Sequence, residues 1–379
     1  MQSSSDAVRK TVEKAEKTVE TLLDSGSQGD PDRAIAITSV RSSAAPRVLD
    51  AAWHRLGLHR VLDRDSDRSP GLERAVFAMV AYCALAGRTT ASVPEWVRQD
   101  VSVRGVGTAA VLPWGTAIER LGDVAVRREL EQLARTHAGR RVAYIASDPT
   151  EPGGEFALAV SSDRWPLLMR DWPREGDPEQ VPTDWIRLLS QDLSVPVLYI
   201  RARQPESPVS DESPDGLQQL EWPGRGHVYY RRRDEGQTPG TRLIVVRPRV
   251  RDWPWRQADR LLEVSGDGVP DDQVVLGYFD AMQVRRDFAD LMARPQRAPF
   301  TVSPQAALAW PFVSWMTLLL TRQVEKDAKL PWSEVRTELQ RVQHVTLSQA
   351  GRDHIRRTPF SSKQRGIWDS TRASEIPPQ

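Results

Sequence analysis

The chain has 379 residues, 39% of them hydrophobic, which is enough for two or three domains and a sizeable core. Its 52 basic residues stand against 51 acidic ones, a net charge of +1, so no molecule-wide field draws it to nucleic acid or to an anionic membrane. The single cysteine, Cys83, excludes an internal disulfide and any multi-cysteine zinc site, and fits a reducing cytoplasm.

The first residues are polar and predict no secretory signal. Residues 3–24 place Val8, Val12, Ala15, Val19 and Leu22 at alternating steps of four and three, a short heptad stripe. Such a stripe suits a helix packed on its own domain, a partly ordered extension, or self-association through a brief coiled coil. Ser25 to Pro31 reads as a linker, so residues 1–30 form a leading segment.

From Ala34 a β-like run, AIAITSV, precedes a helical region over 31–139. Helices are predicted over Arg47 to Leu58, Leu72 to Ala86, Val93 to Gln99 and Thr116 to Thr136, with polar breaks at Asp63 to Pro70 and around Gly105 to Pro113. Residues 140–203 change character. RVAYIAS, EFALAVSS and PLLMR read as three successive strands, Asp184 to Ser190 as a helix, and VPVLYIR as a fourth strand.

An insertion follows over 204–265. Gln204 to Gly216 is rich in Pro, Ser and acids and predicts a mobile loop, and HVYYRRR and TRLIVVRPRV read as strands. Arg225 to Arg260 carries the strongest local charge, ten arginines against Asp234, Glu235, Asp252 and Asp259, a net +6. The candidate nucleic-acid contacts are Arg231, Arg232, Arg233, Arg247, Arg249, Arg251 and Arg256 for phosphates, with Trp253 and Trp255 for stacking on a splayed base. A solvated strand face with the two tryptophans anchoring the insertion is the alternative.

Over 266–350 the chain turns helical again. Val274, Val275, Tyr278, Met282, Phe288, Leu291 and Met292 fall mostly three or four apart in one long helix from Asp271 to Arg294, opened by two carboxylates after Pro270. The longest apolar stretch, Ala306 to Leu320, contains Pro311 and falls short of the roughly 18 to 20 residues that span a bilayer, so it predicts a buried helix and no membrane partner. Residues 351–379 have few apolar positions and predict a disordered tail.

Taken together, these residues resemble the insertion-sequence transposases of the Asp-Asp-Glu class, in the branch with a Tyr-Arg-Glu-Lys signature. LDAAWHRLGLHRVLD and FAMVAYCALAGRTTASVPEW, with Gly57, Ser92 and Trp96, are similar to that group's N-terminal helical region. On the long helix, Tyr278 stands at the Tyr position, Ala281 at the Arg position, Arg285 at the Glu position and Met292 at the Lys position. The resemblance implies an α+β or α/β fold: a helical N-terminal region, then an interrupted ribonuclease-H-like domain with a β-rich insertion.

In that group three carboxylates hold two divalent ions about 4 Å apart for phosphodiester cleavage. The pattern departs at each of them. Ile145 follows Tyr144 where an Asp is expected, the fourth strand ends in Arg201, Ala202 and Arg203, and Arg285 has no acceptor for a cation. A relocated triad of Asp148, Glu206 and Asp287 needs three compensating shifts, and only it would call for magnesium. The expectation is a degenerate, DNA-binding relative without cleavage, with no cofactor, no resident metal and no small-molecule substrate. The alternatives are a protein-interaction scaffold on the same fold, and an active metal-dependent nuclease using the shifted acids.

Overall fold

A computed structural model describes residues 35–65, 69–86, 92–106, 111–138, 142–147, 156–171, 183–203, 217–223, 225–233, 241–250, 259–265, 268–293, 304–349 and 352–373. The leading heptad segment, the acidic loop after Arg203 and the Trp253 to Arg256 stretch lie outside these residues. The chain divides into two units, one of Met1–Arg41 with Gln343–Pro359 and one of Ser42–Val342 with Phe360–Gln379. The architecture is mixed α+β.

The first described element is β1 (Ile35–Ser42). A helical region follows: α1 (Ala44–Arg55), α2 (Leu58–Leu62), α3 (Leu72–Leu85), α4 (Val93–Gln99), α5 (Trp114–Gly122) and α6 (Val124–Thr136). Two expected helices differ: Arg47 to Leu58 stops at Arg55, and Thr116 to Thr136 is divided. Gly57 takes a left-handed φ of 72° after α1, which glycine alone adopts at little cost, and the chain restarts as α2. Asp123 leaves helical backbone, and its carboxylate accepts the Ala125 N–H at 2.8 Å, which ends α5 and caps α6. At α4 the Ser92 N–H donates to Glu95 at 2.8 Å in a capping box, as Ser three residues before Glu suggests.

The sheet strands are β2 (Ala143–Ser147), β3 (Phe156–Ser161), β4 (Pro166–Asp171), then α7 (Thr183–Leu193) and β5 (Val197–Arg203). The insertion supplies β6 (Gln218–Trp222), β7 (Gly226–Arg233), β8 (Thr241–Val250) and β9 (Arg260–Ser265). All eight form one sheet in the order β4-β3-β2-β5-β9-β8-β7-β6. Only the central pair β2 and β5 is parallel; the others run antiparallel. The insertion therefore extends the sheet instead of making a separate domain.

Two long helices complete the core, α8 (Asp271–Met292) and α9 (Pro304–Ala328), followed by α10 (Trp332–Leu339). Phe312, Trp315, Leu319, Leu320 and Val324 of α9 are buried, and so is nearly all of α3, which lies against it. Among the described residues no helix is long and apolar enough to cross a membrane. That fits the reading of Ala306 to Leu320 as a core helix.

The expectation of a disordered tail from Arg352 is corrected. β10 (Gln343–Gln349) pairs antiparallel with β11 (Arg352–Arg357), and β1 lies on the other side of β10. α11 (Ser362–Ser370) follows, with a capping box from Ser361 to Gln364, and buries Ile367 and Trp368. Low apolar content misleads here because β11 is held by backbone pairing, and α11 needs only two anchors.

Candidate functional site

Helix α8 is contacted by strands from both halves of the large sheet. On β2, Tyr144 packs against Gly277, where an added Cβ would overlap the tyrosine ring. On β3, Phe156 meets Phe288 edge-to-face at 6.0 Å. At the far edge of the same sheet, Trp222 of β6 also reaches α8: its ring centroid lies 5.3 Å from that of Phe279 and its Nε1 donates to Asp280 at 3.0 Å. A flat sheet could not bring strands from both sides of its centre onto one helix. The lining residues of β5, β7, β8 and β9 are Ile200, Val228, Ile244, Val246, Leu262 and Val264, all buried. Arg242 ties β8 to the first turn of α8 through Asp271 at 2.7 Å.

Tyr278 is fully buried within this wrap. Arg285, two turns further along, is also buried, and its Nη1 donates to the carbonyl oxygen of Ala146 at 3.1 Å. That contact puts the Arg285 position of the helix beside the end of β2. Next to it, Ser147 and Tyr199 share a hydrogen bond of 2.7 Å between hydroxyls, and Arg201 sits opposite Ser147 in the parallel pair. Burial pushes the Tyr199 phenol up, against the Ser147 bond and the nearby Arg201 and Arg285. Glu263, opposite Arg201 on β9, adds to the upward push on the phenol, so two arginines here stand against one nearby carboxylate.

Asp287 lies on a different side of α8. Two residues turn a helix by about 200°, so while Arg285 faces β2, Asp287 faces α9. There it accepts from Gln283 Nε2 at 2.9 Å and pairs with Arg322, which also holds Glu325 at 2.5 Å. Burial pushes the Asp287 carboxyl up, and Arg322 opposes this only in part. Asp148 and Glu206 lie outside the described residues. The Asp287 side of α8 also forms one wall of a cleft of about 250 Å³ that includes Arg225, Arg322, Glu325, Trp332 and Arg336. Nothing in the sequence marked that cleft, because its residues come from distant segments, from Ala84 to Arg336.

The arginine-rich insertion resolves into two sides. Strand register places His227, Tyr229, Arg231 and Arg233 of β7 opposite Arg249, Arg247, Val245 and Leu243 of β8, on the face turned away from α8. Arg231, Arg233 and Arg249 are exposed there; Arg232 is exposed at the strand end although it points to the other face. Arg247 is bound by both carboxylate oxygens of Asp259 at 2.8 Å each, so its charge is neutralised. Arg203 on the same face is likewise paired, with Glu263 at 2.7 Å. Arg251, Trp253, Trp255 and Arg256 lie outside the described residues. Alternation along HVYYRRR carries the signal for this face, whereas the neutralising acids Asp259 and Glu263, remote in sequence from Arg247 and Arg203, carry none.

No family model matches the chain, and no curated protein matches it.

Proposed function

We propose that the chain is a DNA-binding protein on a transposase-like fold, an interrupted ribonuclease-H-like core, from which phosphodiester cleavage has been lost. The observation that carries this reading is the contact of Arg285 with Ala146 O at the end of β2. In the resembled group this helix and this strand bring carboxylates together; here a guanidinium fills the gap and bonds the backbone. Three strands, a helix and a parallel strand beside the first one, in that order, support the fold assignment.

The described residues at this position do not fit a pair of divalent ions. Magnesium takes hard anionic oxygen ligands, whereas Arg201 and Arg285 are permanent cations, Ser147 and Tyr199 offer only neutral hydroxyls, and Glu263, the carboxylate opposite Arg201, is paired with Arg203 at 2.7 Å. Asp287, the member of the shifted triad within the described residues, is engaged with Arg322 instead. What remains is binding. Exposed Arg231, Arg233 and Arg249 on one sheet face give phosphate contacts a platform, and such contacts supply affinity without sequence readout.

Labelled duplex DNA titrated across a salt series, with magnesium and manganese present and the products run on a denaturing gel, tests both halves. Salt-sensitive binding with intact strands is the expected outcome. Cut strands would overturn the loss of cleavage and return attention to Asp148, Glu206 and Asp287. Absence of binding at low salt would favour the second reading, a protein-interaction scaffold, which the balance of 52 basic and 51 acidic residues supports.

A further inference from the structure

In the smaller unit, β11 reads Arg-Asp-His-Ile-Arg-Arg and every one of its residues is exposed. No core demands this composition, since a strand with both faces in solvent gains nothing from burial and is held here by its pairing with β10. Register sets Arg352, His354 and Arg356 on one face, over Gln349, Leu347 and Val345 of β10. Arg352 and Arg356, four positions apart on one strand face, are separated by about 13.6 Å, close to the axial advance of four nucleotides along one strand of a duplex, also about 13.6 Å.

The electrostatics of these arginines differ from those of the arginines that the fold pairs with acids. Arg55, Arg74, Arg170, Arg242, Arg247 and Arg322 each pair with a carboxylate. Arg352 and Arg356 make no ion pair or hydrogen bond with a described residue, and the nearest acid in sequence, Asp353, points from the opposite face. Among the described residues nothing neutralises them, and they are exposed on one side of a strand at a sheet edge. We infer that the β10–β11 hairpin is a second contact surface for duplex DNA, gripping the phosphate backbone through Arg352 and Arg356. This rests on the DNA-binding reading above but uses residues in the other unit, so the two can fail separately. The competing role for charge on an edge strand is to block edge-to-edge pairing between chains.

The test uses the full chain and a duplex of about 30 base pairs, comparing wild type, R352Q/R356Q, R352K/R356K and R233Q/R249Q. Each phosphate contact contributes about 0.9 to the slope of log affinity against log salt. R352Q/R356Q is therefore expected to flatten the slope by nearly two and to weaken binding several-fold at low salt, while R352K/R356K keeps both. Sedimentation and thermal melting of the same samples report assembly and folding. An unchanged slope in R352Q/R356Q, with R233Q/R249Q weakened, overturns this inference and leaves the DNA-binding reading standing. New dimers with unchanged DNA affinity overturn it in favour of edge protection. No binding by the wild type overturns both.

Discussion

Arg285 of α8 donates from Nη1 to the carbonyl oxygen of Ala146, 139 residues earlier, at 3.1 Å in a buried setting. One guanidinium thus bonds the helix to the end of the first strand of the large sheet. Arg285→Met would keep the packing stem but leave the Ala146 carbonyl without this donor, costing about 1–3 kcal/mol. Urea unfolding should show a lower midpoint with an unchanged slope. An unaltered midpoint would mean the bond contributes nothing to holding α8 on β2.

The approach of α8 to β2 depends on Gly277. Gly277→Ala drives a methyl into the Tyr144 ring and should destabilise by about 1–3 kcal/mol. Combined with Tyr144→Ala, the penalty of the added methyl should shrink, and a double-mutant cycle measures that coupling. Additive effects would contradict the contact.

Asp287 should make stability depend on pH in an unusual direction for a carboxylate. Burial raises its folded-state pKa above the unfolded value. The folded form then holds the proton more tightly, so the contribution of Asp287 is largest at low pH. It declines as pH rises from the unfolded value, about 4, through the folded one. Asp287→Asn lacks this proton. The stability of wild type relative to the variant should fall over that window and be flat above it, as read by unfolding at a series of pH values. A difference that grows with pH would show that Arg322 dominates the site.

The arginine face should separate binding from folding residues. R233Q/R249Q is expected to weaken duplex binding about equally across sequences, with a salt slope shallower by nearly two, and to leave the melting temperature unchanged. Arg247→Gln should do the reverse. It abandons Asp259, a partner held by two hydrogen bonds, and should cost about 1–3 kcal/mol of stability. Equal effects of the two changes on binding would remove the distinction.

Asp123 should behave as a helix start and nothing more. Asp123→Ala removes the acceptor for Ala125 N–H and is expected to cost about 0.5–2 kcal/mol, while Asp123→Asn retains most of the cap. Thermal melting checks both.

The elements that local chemistry dictates were legible in the sequence. Periodicity marks α8, polar breaks bound α3 and α4, and the run TRLIVVRPRV spans β8 as it stands. β6 and β9 were not anticipated as strands, since QQLEW and RLLEVS are short and carry mixed signals until neighbours pair with them. The division of Thr116 to Thr136 into two helices turns on one capping carboxylate, which periodicity averages over.

At the candidate site, sequence spacing aligned Arg285 and Tyr278 with a known pattern, and chemistry alone says that a guanidinium cannot ligate a cation. What the sequence could not decide is which charges are neutralised. Arg247 and Arg249 look alike in the chain, yet Asp259 neutralises one and leaves the other exposed.

By itself, then, the sequence determined the strongly patterned local elements, the cationic character of the insertion and the missing acids at three positions, because these follow from residue type and short-range spacing. Tertiary structure alone decided that the insertion extends the sheet and bends it round α8. It also decided that Ser39 and Thr346, hydrogen-bonded at 2.9 Å across 307 residues, belong to one small sheet. Such pairings depend on the path of the whole chain, whose long-range contacts are selected by collective burial and hydrogen bonding and leave no periodic trace in either partner.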